Sequence, residues 1–392
     1  MIDYQFLTGD TSYSDTIMQA LQHQVGDSND FMPGNQTRTE GNDDQGFWAM
    51  AAMSAAENKF PDPPADKPQW LALAQAVVHE YMIRWDTEKC NGGLRWQIFP
   101  FNQGFNYKNS ISNGCFFNLA ARLARFTGNQ TYAEWAEKVW DWEASVGLID
   151  GEFRVFDGAG VDNDLNCTKH DTIQWSYNAG IFLHGAAVMY NLTGGDPRWR
   201  ARVDGVWNET RSVFFTGGAD KTILVERACE AANLCNVDQQ SFKGYLTRWM
   251  AGTTQMAPYT FDQMMPLIRR NAVAAAAACT GSTAAGGFKG APGTACGFKW
   301  TPEAGGFDGL VGVGAQMNAL DAIMYSLVSK QSAAPVTSTT GGTSKGDENA
   351  GQKIAAPMEE LAPITTGDKV AAAFATTAIV FSVIGGSVFV ML

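Results

Sequence analysis

The run Glu40-Gly41-Asn42-Asp43-Asp44-Gln45-Gly46-Phe47-Trp48-Ala49-Met50 sets two consecutive aspartates at the head of an apolar, helix-like stretch. Like charges this close cannot both ionise cheaply, so one pKa rises, and an unequal acid and base pair is what glycosidic-bond chemistry requires. Glycosidases hold their two carboxyl groups about 5–5.5 Å apart when they retain anomeric configuration and about 6.5–9.5 Å apart when they invert it. Consecutive residues suit the shorter span. The same residues also read as a helix start: Asn42 with Gln45 fits an N-cap and capping box, and acids in a first turn suit the helix dipole. Consecutive helical residues point in different directions, so the doublet alone leaves both readings open. Where both hold, the helix start is expected to lower the pKa of Asp43 and leave Asp44 protonated.

Four further segments mix rings with amides, hydroxyls and charges: Trp85-Asp86, Gly93 to Gln97, Tyr107 to Gly114 and Gln174 to Gly180. Rings stack on the C–H face of a sugar, while amides and acids bind its hydroxyls. Trp85, Asp86, Trp96, Gln97, Lys108, Asn109, Asn113, Trp175, Tyr177 and Asn178 are the candidate binding residues they supply. Each segment reads equally well as loop capping or as a buried polar contact. His23, His79, His170 and His184 show no paired ligand spacing, so neither a metal nor another cofactor is expected. A G-x-S-x-G elbow and a P-loop are both missing, which removes the usual signatures of acyl transfer and nucleotide chemistry.

The elements that must position these residues are helices. Apolar residues recur at helical spacing over 13–24, 43–58, 69–85, 111–127, 132–146, 174–193, 197–214, 240–256, 260–278 and 312–330, and strand-like alternation is scarce. Gly/Pro stop signals separate the segments, with no mid-chain linker, which predicts a single all-α domain over residues 1–330. Residues 119–136 and 185–199 share one plan, small residues, an aromatic and then Thr-Gly, which suggests a repeated helical hairpin and a ring of paired helices with loops at its rim.

A formal charge of −12 argues against nucleic acid as a partner. Sequons at Asn35, Asn129, Asn166, Asn191 and Asn208 point to a secretory route and to N-glycosylation. Of seven cysteines an oxidising compartment pairs six: Cys229 with Cys235, Cys279 with Cys296, and two of Cys90, Cys115 and Cys167. Residues 331–350 read as a Ser/Thr/Gly linker too polar to pack. Small residues from Asn349, a spacer and the uncharged run from Val370 to Leu392 read as a GPI-attachment signal over 351–392, with a transmembrane anchor as the alternative. Asn349 is the expected attachment residue, and the expected location is the outer face of the plasma membrane and the cell wall. The chain opens without a basic and then apolar leader, from which a missing signal peptide is inferred.

The segments EGNDDQGFWAMAAMSAAE (40–57), GGLRWQIF (92–99), YKNSISNGCFFNLAARLARFTGNQTYAEWAEKVWDW (107–142), IQWSYNAGIFLHGAA (173–187) and CNVDQQSFKGYLTRWMA (235–251) resemble fungal members of glycoside hydrolase family 76. The likeness runs from about residue 8 to 330. It implies an (α/α)6 barrel, retention of configuration, Asp43 as nucleophile and Asp44 as general acid/base, and it adds Asp238 and Lys243 to the binding residues. It further implies an α-1,6-mannose-containing donor glycan, from mannan or a GPI core, with β-glucan as an acceptor if the enzyme transfers. A monomer is expected, tethered through a GPI lipid. A non-catalytic glycan-binding wall scaffold stays open as the alternative. Residues 286–309, rich in Ala and Gly, depart from the family pattern and put the last hairpin in doubt.

Overall fold

A computed structural model describes residues 1–162, 165–282, 287–352 and 365–391, with side chains described as far as Ile384 in the last of these. It contains two compact units, 1–354 and 355–392. The first holds α1 (Ile2–Thr8), α2 (Ser14–His23), α3 (Asn42–Glu57), α4 (Trp70–Arg84), α5 (Ser110–Thr127), α6 (Gln130–Ser145), α7 (Ser176–Leu192), α8 (Pro197–Phe214), α9 (Phe242–Met256), α10 (Phe261–Ala277) and α11 (Val313–Tyr325). Every segment expected from apolar periodicity is a helix, with ends drifting by a few residues. The seven residues of α1 carry too little periodicity to announce themselves.

Capping residues set the boundaries. Asn109 accepts the Ser112 N–H to open α5, Asn129 accepts the Thr131 N–H to open α6, and Asp196 with Pro197 behind it opens α8. Gly128, at φ 76°, ends α5 in a left-handed cap that a side chain would strain.

Helices α1, α3, α5, α7, α9 and α11 each touch the next, and α11 returns to α1. Outside them α4 spans α3 and α5, α6 packs on α5, α8 on α7, and α10 spans α9 and α11, the two-layer arrangement of an (α/α)6 barrel. Strict inner–outer alternation makes the inner helices parallel, so the N-termini of α3, α5, α7, α9 and α11 share one end, while the short α1 lies towards the other, where Asp3 meets Arg248 and Tyr325. Four glycines near those N-termini let the inner helices meet. A Cβ on Gly46 would lie 2.6 Å from Cys115 Cβ, one on Gly114 2.6 Å from Ile181, one on Gly180 2.8 Å from Trp249, and one on Gly244 2.8 Å from Asn318. Between the inner and outer layers Phe117 stacks on Phe182 (5.5 Å between centroids) and on Trp199 (5.9 Å).

The two ends of the barrel differ. Turns at the far end are short, at 128–129, 193–196 and 257–260, and a charged network closes the axis there. Arg122 pairs with Glu57 at 2.7 Å, Arg248 with Asp3 at 3.2 Å, and both arginines donate to Ser54 Oγ around a cavity of ≈ 60 Å³. Loops at the N-terminal mouth are long. They carry β1 (Tyr107–Asn109), β2 (Gly158–Gly160) and β3 (His170–Asp171) in one antiparallel sheet, and β4 (Phe215–Gly217) with β5 (Ile223–Leu224) in another. All three disulfides staple these loops: Cys90–Cys167, Cys229–Cys235 and Cys279–Cys296. Cys115 is the free thiol, buried on α5. The irregular stretch anticipated at 286–309 is the mouth loop before α11, braced by the third disulfide, and residues 283–286 lie outside the described set.

Residues 331–352 belong to the first unit. Their polar atoms bond the barrel wall, which is why a composition too polar for a core still docks. The Val336 N–H donates to Glu57 O, the Leu71 N–H to Ser344 Oγ, Gln75 Nε2 to Glu348, and His79 Nδ1 meets Ala350 O at 2.7 Å. The second unit contains α12 (Thr366–Met391). Its stretch Thr366–Ile384, with mean hydropathy 1.5, is long and apolar enough to cross a membrane.

Candidate active site

Asp43 and Asp44 sit in the first turn of α3, at the mouth. The cap falls one residue earlier than the sequence pattern suggests. Gly41 is the N-cap, and its N–H donates to Asp44 Oδ2 at 2.7 Å, so Asp44 takes the reach-back role expected of Gln45. Gln45 is instead fully buried, donating to Asp30 O and Glu80 Oε2. The turn is anchored from the loop before α5: the Asn42 N–H donates to Trp96 O at 2.8 Å, Asn42 Nδ2 to Arg95 O, and Gly41 bridges Gln97.

The carboxyl groups differ in setting. Asp43 is half-buried and Asp44 exposed. Burial, then the charge of Asp44, pushes Asp43 up to about 8, against donation from backbone N–H groups and from Trp96. Burial also raises Asp44, opposed by the Gly41 N–H. This reverses the expected order for Asp43: loss of water around its carboxylate outweighs the helix dipole. The pair therefore holds a proton near neutrality, and it titrates as a unit.

Other groups close round the doublet. Tyr177, face to face with Phe242 at 3.7 Å, feels the charges of Asp157, Asp43 and Asp238. Asp238 is exposed at its surface, and partial loss of water around its carboxyl, then the charge of Asp44, raises it. Trp175 donates to Asp157, whose other partner is the Tyr107 hydroxyl at 2.7 Å. Phe47 and Tyr245 meet at 5.0 Å one turn into α3 and α9. Carboxylates, ring faces and amides at one open end are what a carbohydrate site needs, and among the described residues no His/Cys/Asp/Glu group is arranged to hold a metal.

Residues 1–339 match glycosyl hydrolase family 76. The chain belongs to that family. It is similar to mannan endo-1,6-alpha-mannosidase DCW1 of Saccharomyces cerevisiae, 46% identical over 98% of this chain and 82% of the relative. It is also 42% identical to mannan endo-1,6-alpha-mannosidase DFG5 of the same yeast, over 100% and 82%. Among solved structures, Dfg5 from Chaetomium thermophilum in complex with glucosamine superposes with a TM-score of 0.82 at 48% identity, covering 90% of this chain and 83% of that one. An α-1,6-mannanase of Salegentibacter sp., solved as an inactive variant with α-1,6-mannotriose, shares the fold at a TM-score of 0.64 and 17% identity, over 83% and 87%. The chain is accordingly a glycoside hydrolase.

Against this family 76 site the twelve binding candidates separate. Trp96, Gln97, Trp175, Tyr177 and Asp238 lie with the doublet at the mouth. Asn178 is fully buried beside Tyr177, and neither amide atom has a partner among the described residues. The remaining six spend their polar or ring faces inside the protein. Lys108 Nζ, with no exposure, donates to the carbonyls of Asp86, Lys89 and Gly92, and Asp86 is held by Lys108 (3.2 Å) and Arg95 (2.8 Å). Asn113 exchanges hydrogen bonds with Leu94, and Asn109 is the α5 cap. Lys243 is buried against Glu230, Phe298 O and the Trp300 ring. Trp85 packs edge-on to Phe116, Trp135 and Trp142. Tyr107 and Asp157, joined at 2.7 Å beside Trp175, are not among the sequence candidates, although Tyr107 opens one of the segments named.

Proposed function

We propose that this chain is a retaining endo-α-1,6-mannosidase or transglycosidase, with Asp43 as nucleophile and Asp44 as general acid/base. The observation that carries the reading is the doublet itself: two consecutive carboxyl groups in the first turn of α3, at the mouth of a family 76 barrel. Relatives more than 40% identical over nearly the whole chain bear the mannan endo-1,6-alpha-mannosidase name, which supports α-1,6-linked mannose as the donor.

Burial favours the resting proton on Asp43, while the reaction needs it on Asp44. A sugar whose C1 gains positive charge above Asp43, together with the Trp96 donor, favours the Asp43 carboxylate and moves the proton to Asp44. Asp43 then attacks C1 as Asp44 gives its proton to the departing glycosidic oxygen, leaving a glycosyl ester on Asp43. Asp44, now a carboxylate, takes the proton of the acceptor hydroxyl, whose oxygen bonds C1 and frees Asp43. The exposure of Asp44 suits a group that must meet each incoming acceptor. Water as acceptor gives hydrolysis; a β-glucan hydroxyl gives transfer to the wall.

The same reading places the chain at the outer face of the plasma membrane and in the wall, as a monomer. Asn349, exposed, is the proposed GPI attachment residue, and the apolar α12 fits a cleaved tail. Of the five sequons, Asn35, Asn166, Asn191 and Asn208 are exposed and Asn129 is half-buried. The Asn129 amide donates to Glu348, that of Asn191 to Met256 O, and Asn166 accepts from the Cys90 N–H.

The test is turnover of α-1,6-mannooligosaccharides by the wild type, Asp43→Asn and Asp44→Asn. The expected loss is roughly 10²–10⁴-fold for Asp44→Asn and at least as much for Asp43→Asn. The inactive Salegentibacter variant carries asparagine at two consecutive aspartates, the same change. Sugar binding by a wild type that forms no product would replace this reading with the wall scaffold.

A further inference from the structure

We infer that Glu226 is a positioning residue for the rings of Trp175 and Tyr177, an inference that rests on the carbohydrate reading of the mouth proposed above. Helix α7 opens there with Trp175 as its N-cap, and an indole offers the first turn no acceptor. The missing cap comes from the loop between β5 and α9. Glu226, fully buried, accepts the Ser176 N–H through Oε1 at 3.2 Å and the Ser176 hydroxyl through Oε2. Those two bonds fix the residue that lies between the two rings.

Glu226 is itself held from α9 and from the loop before α11. Its own N–H donates to Glu230 Oε2 at 2.7 Å, the same oxygen that accepts from Lys243 Nζ at 3.1 Å, and Lys243 also donates to Phe298 O at 2.6 Å. The Cys229–Cys235 bond staples the same loop. Lys243 follows Phe242 at the start of α9, and Phe242 is the ring on which Tyr177 stacks at 3.7 Å and Trp175 stands edge-on at 5.6 Å. The chain Ser176–Glu226–Glu230–Lys243 thus ties the same two helix starts that the three rings join by stacking. Among the described residues no side-chain polar atom of these four is buried without a partner. A buried network satisfied in this way rigidifies what it holds.

The doublet is anchored separately. Its turn is bonded to residues 95 and 96, in the loop before α5. Loosening Glu226 therefore acts on how sugar is held and leaves the carboxyl pair in place. Burial pushes Glu226 up to about 8, so near neutrality it caps chiefly as a neutral acid, a role that an amide matches and a hydrocarbon does not.

The experiment measures kcat and KM on α-1,6-mannooligosaccharides for wild type, Glu226→Leu and Glu226→Gln, paired with amide exchange at Ser176 and Ala179. Glu226→Leu should raise KM roughly tenfold, hold kcat within about threefold and quicken exchange at both amides. Glu226→Gln, which keeps an acceptor for the Ser176 N–H, should return both readouts close to wild type. A Glu226→Leu enzyme with lower kcat and an unchanged KM has only lost folded protein and overturns the inference, as does a Glu226→Gln enzyme as impaired as Glu226→Leu. If Glu226→Leu does not fold, Ser176→Ala decides, because it removes the hydroxyl bond alone. KM and exchange should then rise together; either one moving without the other, or neither moving, overturns the inference. A wild type that turns over no mannose substrate sinks the proposed function and the inference with it, whereas an active wild type whose variants keep its KM sinks the inference alone.

Discussion

At the scale of single residues, polarity at the mouth serves two ends, and Lys108 shows how they are told apart. A lysine beside aromatic and amide residues reads as a sugar ligand, yet its ammonium has three donors and all three reach backbone carbonyls of the 86–92 loop. Burial, opposed by Asp86, lowers it to about 8. Replacing it with methionine would leave Asp86 and three carbonyls facing an apolar side chain. Breaking a buried pair this way costs about 3–5 kcal/mol. Lys108→Met is expected to lower the melting temperature by several degrees and to weaken turnover through the loop. Denaturant unfolding checks it: a stability change under 1 kcal/mol, with KM alone raised, would mean that the ammonium reaches substrate after all.

At the scale of elements, the mouth loops carry the site and the disulfides hold the loops. Cys90–Cys167 joins the loop before α5 to the loop before α7 across 77 residues. A closure of that length contributes about 4.5 kcal/mol in the chain-entropy model. Replacing both cysteines with serine should cost up to that amount and increase amide exchange in both loops, while the inner helices keep their protection. Exchange rising uniformly over the barrel would show instead that the bond supports the core. Helices were legible in the sequence because apolar residues repeat every three to four positions over many turns, as in α5 and α7. The doublet stood out only with its surroundings, since two acids at a helix start suit a cap as well as a catalytic pair. Which polar residues stay free was not legible. Asn113 is spent on Leu94, Lys108 on Gly92 and Lys243 on Phe298, partners set by the course of the loops and not by local pattern. Packing of 331–352 was hidden for the same reason: its partners lie on α4, more than two hundred residues earlier.

At the scale of the whole molecule, the buried acids set how stability follows pH. Asp43, Glu143 and Glu226 are each pushed up to about 8, and Glu40 and Glu80 to about 7, all chiefly by burial. Unfolded carboxyls titrate near 4. Between roughly pH 4 and 8 the folded chain thus binds more protons than the unfolded one, so stability is fully present at the acid end and falls as pH rises through the folded values. Asp86 runs the other way. Burial would raise it, but Lys108 and Arg95 hold it below the usual range, so its contribution is lost as pH falls below about 4. The formal charge of −12 adds self-repulsion that grows with each carboxyl ionised. The melting temperature should therefore peak in mildly acid buffer and decline steadily to pH 8. Glu143 offers the internal control, since it is fully buried and its Oε1 has no partner among the described residues. Glu143→Gln removes one of the linked protons and should flatten the decline without moving the acid-side value by more than the packing change costs. A melting temperature that climbs from pH 5 to 8 would show that these carboxyls ionise in the folded state at ordinary pH, and that water or a cation reaches them inside the barrel.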